Sequence, residues 1–505
     1  MAIEQAQIDQ IRTSFEKMQS KEDLLHLLNV AKPLVYGEKA VPFKLKQITW
    51  YADPKLAKDR YSTFKVKKKS GAERTIHAPV MGLKAIQKTL SFVLQCVFEP
   101  HKAATGFVKD KSIVDNAKVH IGSKYVYNID LKDFFPSIDQ ARVWKCLQLK
   151  PFNLNDNGLV NDKLTVSKVF SFEDFIKELL NEFRPIGVKF IKSEKGNFIQ
   201  FLNAESKYIF IKIDKTIALK GTTAEEILFE IKKNCVVLVY KISNNTYYKF
   251  RYKDDARNVE KTISLSKLKL ANMIASLCCT EMEVERFDKI SEKWHLEKRT
   301  VLPQGAPTSP ILTNVICQRM DYLLTAVAKR FGIKYTRYAD DITFSSMHNV
   351  YQKDSEFLKE LHRIITEQGF HIKESKTRLQ KEGYRKEVTG LLVNENVNVQ
   401  KRYIKQLRMW LYYWERYGFA KASIYFTQQY MSDKTVVKGK PDMVNVIDGK
   451  LNYLKMVKGS ENLLYLKLRG RFEKLSLKQT FVSKVLQTWE NEGIERAMEL
   501  YYKKK

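Results

Sequence analysis

The chain has 505 residues, 44% of them hydrophobic and 29% charged, which is the make-up of a large globular protein and excludes a disordered or a small disulfide-stapled one. Lys and Arg number 88 against 57 Asp and Glu, a formal net charge of +31 that attracts polyanions, so nucleic acid is the first partner to expect and an anionic membrane surface the second. The longest notable apolar run, Cys235 to Tyr240, falls far short of the roughly 20 residues a spanning helix needs, the start "MAIEQAQ" is polar, and six cysteines without a C-x-x-C pair argue against zinc and for a reducing cytoplasm.

In chain order, "IDQIRTSFEKMQSKEDLLHLLN" has apolar residues at helical spacing and a capping box at Ser20 and Asp23, predicting two short helices. "YSTFKVKKKSGAERTIHAP" alternates around a Ser70-Gly71 turn and predicts a β-hairpin ending at Pro79. "MGLKAIQKTLSFVLQCVF" is an amphipathic helix, and "KYVYNIDLKDFFPSI" a strand that breaks at Pro136. Residues 150–265 change character: helices at "SFEDFIKELLNEF" (capped by Ser171 and Asp174) and "TAEEILFEIKKN" (Thr223 and Glu226) are joined by the strand-like runs "GVKFIKSE", "GNFIQFLN", "SKYIFIKI", "CVVLVYKIS" and "TYYKFRYK", a small α+β module. A helix through Cys279 leads to the loop "LPQGAPTSP", a helix from Ile311 to about Lys329, a hairpin at "KYTRYADDITFSS" and a helix near "DSEFLKELHRIITEQG"; the last hundred residues are basic, aromatic and mostly helical. The resulting divisions are 1–60 helical, 61–149, the 150–265 module, 266–398, and 399–505 helical again. The module could serve either to grip a nucleic-acid partner or, through its β-rich edges, to self-associate into a homo-oligomer, and the sequence does not choose between the two.

The hairpin at 334–346 sets two aspartates, Asp340 and Asp341, side by side among β-formers, where like charges repel. A divalent, oxygen-seeking cation such as magnesium offsets that cost. Phosphoryl transfer to a nucleic-acid 3′-hydroxyl uses two such ions and a third carboxylate, and Asp130, at the end of the apolar alternation "YVYNID", stands where a strand can present one. Read alone, Asp130 is equally a turn-initiating Asp and the pair a plain hairpin turn. Around them, Gly305 permits close backbone approach and Gln304 can stand against a sugar and base; Lys67, Lys68, Lys69 and Arg74 can clamp a triphosphate; and of Phe134 and Phe135, one can wall off a sugar 2′ position while strand alternation sends the other into the core.

Taken in order, "YSTFKVKKKSGAERTIHAP", "NIDLKDFFPSI", "LPQGAPTSPILTN", "YTRYADDITFS", "GFHIKESKT" and "EVTGLLVN" resemble the fingers and palm of bacterial reverse transcriptases over most of residues 20–400. "NAKVH" (Asn116 to His120) and "VTG" (Val388 to Gly390) resemble marks of the retron enzymes and of their defence-associated relatives in the so-called unknown groups, and the large insertion favours the latter. The resemblance implies an α+β right-hand polymerase with fingers, palm and helical thumb, interrupted by the α+β insertion. It implies two Mg2+ ions on Asp130, Asp340 and Asp341, with the backbone of 131–134 cradling phosphates. Lys68 and Arg74 would contact the triphosphate, Phe135 would gate the sugar beside Phe134, Gln304 and Gly305 would line the nucleotide pocket, and Lys376 would approach the leaving pyrophosphate. Asn116, His120, Tyr338, Lys455 and Lys458 would face nucleic acid. The implied partners are a structured noncoding RNA, deoxynucleoside triphosphates and a DNA product, with no membrane, and the implied activity is RNA-directed DNA synthesis in antiphage defence. Two other readings share the sequence: untemplated or repetitive synthesis, protein-primed in some relatives, and a catalytically silent RNA-binding or assembly module.

Overall fold

The computed structural model describes residues 4–67, 73–155, 267–288, 290–432 and 441–502, together with six strands between 185 and 263. Helices α1 (Gln5–Lys17) and α2 (Lys21–Tyr36) are separated at Ser20, whose hydroxyl accepts from the Asp23 amide at 3.1 Å while the Asp23 carboxylate accepts from the Ser20 amide at 2.9 Å. Helix α3 (Leu45–Ala52) precedes the hairpin β1 (Tyr61–Lys67) and β2 (Glu73–Pro79), whose register runs from Tyr61↔Pro79 to Lys67↔Glu73. Helix α4 (Met81–Val97) buries Leu83, Ile86, Leu90 and Val93 on one face; α5 (Ile113–Lys118) leads to β3 (Tyr125–Asp130) and α6 (Gln140–Leu147).

Strands β4 (Pro185–Ser193), β5 (Gly196–Asn203), β6 (Tyr208–Ile213), β7 (Val237–Ser243), β8 (Thr246–Arg251) and β9 (Val259–Ile263) form a six-stranded antiparallel meander in sequence order. All five expected strands of the module are present and β9 is a sixth; its two expected helices lie outside the described residues. Helix α7 (Lys267–Cys278) is followed by β10 (Thr280–Asp288) and β11 (Lys293–Val301), an antiparallel hairpin with nine residues in each strand that the sequence reading did not anticipate. Then come α8 (Ser309–Arg330), β12 (Lys334–Tyr338), β13 (Asp341–Ser346), α9 (Glu356–Glu367), a 3₁₀ turn at Glu374–Lys376, and the short strands β14 (Arg378–Gln380), β15 (Glu387–Val388) and β16 (Leu391–Leu392). The chain ends in α10 (Lys401–Ser432), which kinks at Gly418 with φ +78, then α11 (Met443–Lys458), α12 (Leu463–Glu492) and α13 (Ile494–Tyr502).

The chain divides into two compact units, Met1–Thr49 with Leu147–Ile274, and Trp50–Cys146 with Ala275–Lys505. The second unit is built on a four-stranded antiparallel sheet in the order β12-β13-β3-β14. The period-two pattern of β3 and β13 puts Tyr127, Ile129, Ile342 and Phe344 on one buried face, and the Phe344 ring stacks on Tyr335 at 5.0 Å and meets Phe357 of α9 edge-on at 5.1 Å. A core cluster that includes Val126, on the other face of β3, joins Val388 and Leu391 to Trp410, Leu411 and Trp414 of α10, Leu451 and Leu454 of α11, and Leu468 and Phe472 of α12. Strand β3 stops at Asp130 rather than at Pro136, because the chain turns out of extended geometry at Asp133, whose φ is +44.

Candidate active site

Strand pairing brings two of the expected carboxylates together from positions 211 residues apart in sequence: Asp130 ends β3, Asp341 opens β13, and the two are direct cross-strand partners. Asp340 sits in the β12–β13 turn behind Ala339, whose φ is +58, and its carbonyl accepts from the Leu131 amide at 3.1 Å. Burial, and then the charge of Asp130, holds the Asp340 carboxyl above the ordinary carboxylate range. Burial, and then the charges of Asp340 and Asp130, pushes Asp341 up to about 6. Three anions thus share one space at a mutual cost.

Cations partly relieve it. Segment 371–373 runs beside 130–132, with the Lys132 amide donating to the His371 carbonyl and the Lys373 amide to the Asp130 carbonyl, both at 2.8 Å. This pairing delivers the 3₁₀ turn that carries Lys376, whose Nζ lies 2.6 Å from Asp130 Oδ2. Its charge also favours ionised Asp340 and Asp341, joined by Arg74 at Asp340 and Arg378 at Asp341. Among the described residues no group of three or more His, Cys, Asp or Glu side chains is gathered into a ready-made metal cage. The donor set is nevertheless all carboxylate oxygen, mutually repelling, with an ammonium already drawn to one member, and such a set fits a hard divalent cation.

The other expected residues divide. Arg74, on β2, is exposed and within electrostatic reach of Asp340; Lys68 lies outside the described residues. Gln304 is half-buried, and its carbonyl accepts from the His77 amide at 2.9 Å. Gly305 has φ +122, and a Cβ there would stand 2.7 Å from the His77 carbonyl, so the close approach that it permits is to β2. Phe135 is half-buried, and Phe134, 3% exposed, packs on Phe370 with ring centroids 5.7 Å apart. The nucleotide-lining role expected for the Phe134 side chain is therefore corrected: it is core. The phosphate cradle expected over 131–134 narrows as well, since the Leu131 and Lys132 amides are spent on Asp340 and His371.

Asn116 and His120 are also corrections. Both are fully buried: Asn116 accepts from the Thr105 hydroxyl at 2.8 Å, and the two His120 ring nitrogens bond to Ser345 Oγ and Thr336 Oγ1 at 2.7 Å each, which leaves neither residue an atom for nucleic acid. Tyr338 is half-buried and pairs with Asp341 across the turn; Lys455 is exposed and Lys458 half-buried on the last turn of α11.

Sequence reasoning missed three features. The β10–β11 hairpin, through Glu285, Arg286, Phe287 and Trp294, walls a cavity of about 250 Å3 against the loop after Asp130, with Lys132 bonded to Glu285 at 2.6 Å and lying over the Trp294 ring at 3.2 Å. Phe107, left-handed at φ +60, sets its ring 6.1 Å from Phe135. Beneath the acidic turn, Arg337 is fully buried on Asp321, and nothing in the strand sequence "KYTRY" signals it.

A family described as "Reverse transcriptase (RNA-dependent DNA polymerase)" matches residues 182–393, a span that contains Gln304, Asp340, Asp341 and Lys376. Over 370 residues the chain is 27% identical to the Retron Mx162 reverse transcriptase of Myxococcus xanthus, covering 70% of this chain and 52% of that one. The chain is thus similar to bacterial retron reverse transcriptases over about 70% of its length. The Retron Mx65 enzyme of the same organism is 26% identical over 356 residues (70% and 55% covered), and the Retron Ec86 enzyme of Escherichia coli 25% over 357 residues (69% and 68%). The chain spans about half the length of the two Myxococcus retron relatives. Asp130 precedes the matched span and is tied to it by the β3–β13 pairing. The α+β polymerase fold expected from the motifs is the one present, with the four-stranded sheet β12-β13-β3-β14 and the reverse-transcriptase match over residues 182–393.

Proposed function

We propose that the chain is an RNA-directed DNA polymerase that extends a DNA strand on a bound, structured noncoding RNA, with antiphage defence as its setting. The observation that carries this reading is the convergence of Asp130, Asp340 and Asp341 at the end of the β3–β13 pair, two of them as direct cross-strand partners, where burial and the neighbouring carboxylates hold Asp340 and Asp341 up in pKa.

Asp130, Asp340 and Asp341 would hold two magnesium ions, which when bound supply charge neutralisation for the attacking and leaving oxygens of nucleotidyl transfer. The chain's own residues do the rest. Arg74, exposed on β2, meets the incoming triphosphate, and Gln304 flanks its sugar and base. Phe135, half-buried against Phe134 and Phe107, excludes a 2′-hydroxyl by clash. Lys376 holds Asp130 in place and supplies positive charge, and a proton, beside the leaving group. The basic thumb helix α11, with Lys455 and Lys458 in its last turn, follows the template–primer duplex.

Untemplated or repetitive synthesis would use the same acidic centre and differs only in the product. Purified chain incubated with deoxynucleoside triphosphates and its copurifying nucleic acid should yield DNA complementary to that RNA. A homopolymer or short repeat without a complement in the RNA would favour the second reading, and no product at all the silent binding module.

A further inference from the structure

The turn that presents the acidic pair is held at one residue, Ala339, from two directions. Its left-handed φ of +58 is uncommon for a residue with a Cβ, and such backbone persists where the surroundings over-determine it. At its carbonyl end stands Arg337, whose Nη1 donates to the Ala339 oxygen at 3.2 Å. The rest of that guanidinium is fixed: Nε donates to Asp321 Oδ1 at 2.8 Å, and Nη2 to Asp321 Oδ2 at 2.6 Å and to Asn314 Oδ1 at 3.1 Å. Asp321 also accepts from the Tyr335 hydroxyl at 2.7 Å, and both Arg337 and Asp321 have 0% exposure.

At its amide end stands Gly106. A Cβ added there would lie 2.5 Å from the Ala339 nitrogen and 2.9 Å from the Tyr338 carbonyl carbon, both backbone atoms that cannot swing aside. Gly106 is itself pinned, its carbonyl accepting from Asn314 Nδ2 at 3.0 Å, while the preceding residues run alongside β12: the Arg337 amide donates to the Ala103 carbonyl and the Thr105 amide to the Arg337 carbonyl, each at 2.8 Å. Asn314 thus joins the two holds through its own amide group.

We propose that Arg337 and Gly106 are positioning residues that fix Ala339 at its carbonyl and its amide, and so set where Asp340 and Asp341 point. A buried ion pair kept only for stability needs the two bonds to Asp321. The third arm, to Ala339, and the glycine required opposite it are what a positioning device adds. A lysine at 337 keeps the charge and cannot form the planar fork that reaches Asp321 and Ala339 together. The inference rests on the reading of Asp340 and Asp341 as the ion-holding pair.

The test compares Arg337→Lys and Gly106→Ala with Leu361→Ala, a fully buried residue of α9, as a control for simple loss of stability. Two readouts need no turnover: the Mg2+ concentration that half-maximally raises the melting temperature without nucleotide or template, and hydrogen exchange of the 338–342 peptide. The expected result for both variants is a midpoint raised about tenfold, faster exchange at the turn, and a kcat for nucleotide incorporation about 100-fold lower with little change in KM. Leu361→Ala should melt earlier with an unmoved midpoint. A wild-type midpoint and wild-type exchange in either folded variant overturns the proposal, and Gly106→Ala decides alone if Arg337→Lys does not fold. Asp340→Asn with Asp341→Asn separates the two levels: if that double variant keeps the wild-type Mg2+ response, the reading of the acidic pair fails, whereas if it loses the response and the positioning variants do not, only the inference fails.

Discussion

Lys376 sets its ammonium nitrogen 2.6 Å from Asp130 Oδ2, across 246 residues of sequence, and so occupies one carboxylate of a three-carboxylate centre with a protein cation. That contact assigns the lysine two tasks: it neutralises Asp130 when no divalent ion is bound, and it must yield part of that carboxylate to an arriving ion. Replacing Lys376 with Met should lower the melting temperature of the chelator-treated protein at pH 7 and enlarge the gain in melting temperature that Mg2+ then gives. Thermal melts with and without the ion check this, and an unchanged gain would remove Lys376 from the centre.

The raised carboxyls make a pH prediction of definite sign. In chelator, folded Asp341 releases its proton near pH 6, whereas in the unfolded chain it does so near the ordinary value of 3.8. The folded state therefore binds more protons between those values, and the stability associated with this site is full below pH 3.8, falls as pH rises through the window and stays lost above about 6. Asp340 is shifted the same way. Asp341→Asn should melt higher than wild type at pH 7 without divalent ions, and the difference should vanish at low pH. Saturating Mg2+ should reverse the order, and a variant that melts lower than wild type in chelator at pH 7 would contradict the account.

His120 predicts the opposite slope from a different cause. Burial lowers it to about 3, so the folded protein keeps it neutral and stability is lost as pH falls below the ordinary value of 6.5. Replacement by Ala removes the ring partner of the Thr336 hydroxyl and one of the two partners of the Ser345 hydroxyl, and should cost about 2–4 kcal/mol while leaving RNA affinity unchanged at temperatures where the variant is folded. Denaturant melts and filter binding on the same samples separate the two effects; a selective loss of RNA affinity would restore His120 to the nucleic-acid surface.

Much of this was legible in the sequence because the governing signals are local. Ser20 with Asp23 marks a helix start, the alternation of "YVYNID" marks β3, and the acidic pair marks a turn that costs energy without a cation. The β10–β11 hairpin escaped because its apolar alternation is short, confined to Met282 and Val284 in "TEMEVERFD" and to Trp294 and Leu296 in "KWHLEKRTV", and most of the residues of both strands remain exposed or half-buried. Asn116 and His120 misled for the converse reason: polar residues in a short motif suggest a surface, and only the fold shows that their partners are buried hydroxyls. The Arg337–Asp321 and Lys376–Asp130 pairs depend on tertiary placement, which spacing cannot reveal.

Sugar selection should map to Phe135 and its neighbour. Phe135→Ala should admit ribonucleotides, and Phe107→Ala, which removes the ring 6.1 Å away, should relax discrimination in the same direction and less far. Ratios of kcat/KM for matched deoxy- and ribonucleoside triphosphates check this. Unchanged ratios in Phe135→Ala would move the gate elsewhere.

The most direct measurement is nucleotide incorporation on a defined RNA template with a DNA primer, for wild type and for the Asp340→Asn, Asp341→Asn double variant, with RNA binding measured on the same preparations. The account predicts Mg2+-dependent extension by wild type, none by the variant, and near-equal RNA affinity for both. Extension by the variant at the wild-type rate would contradict it.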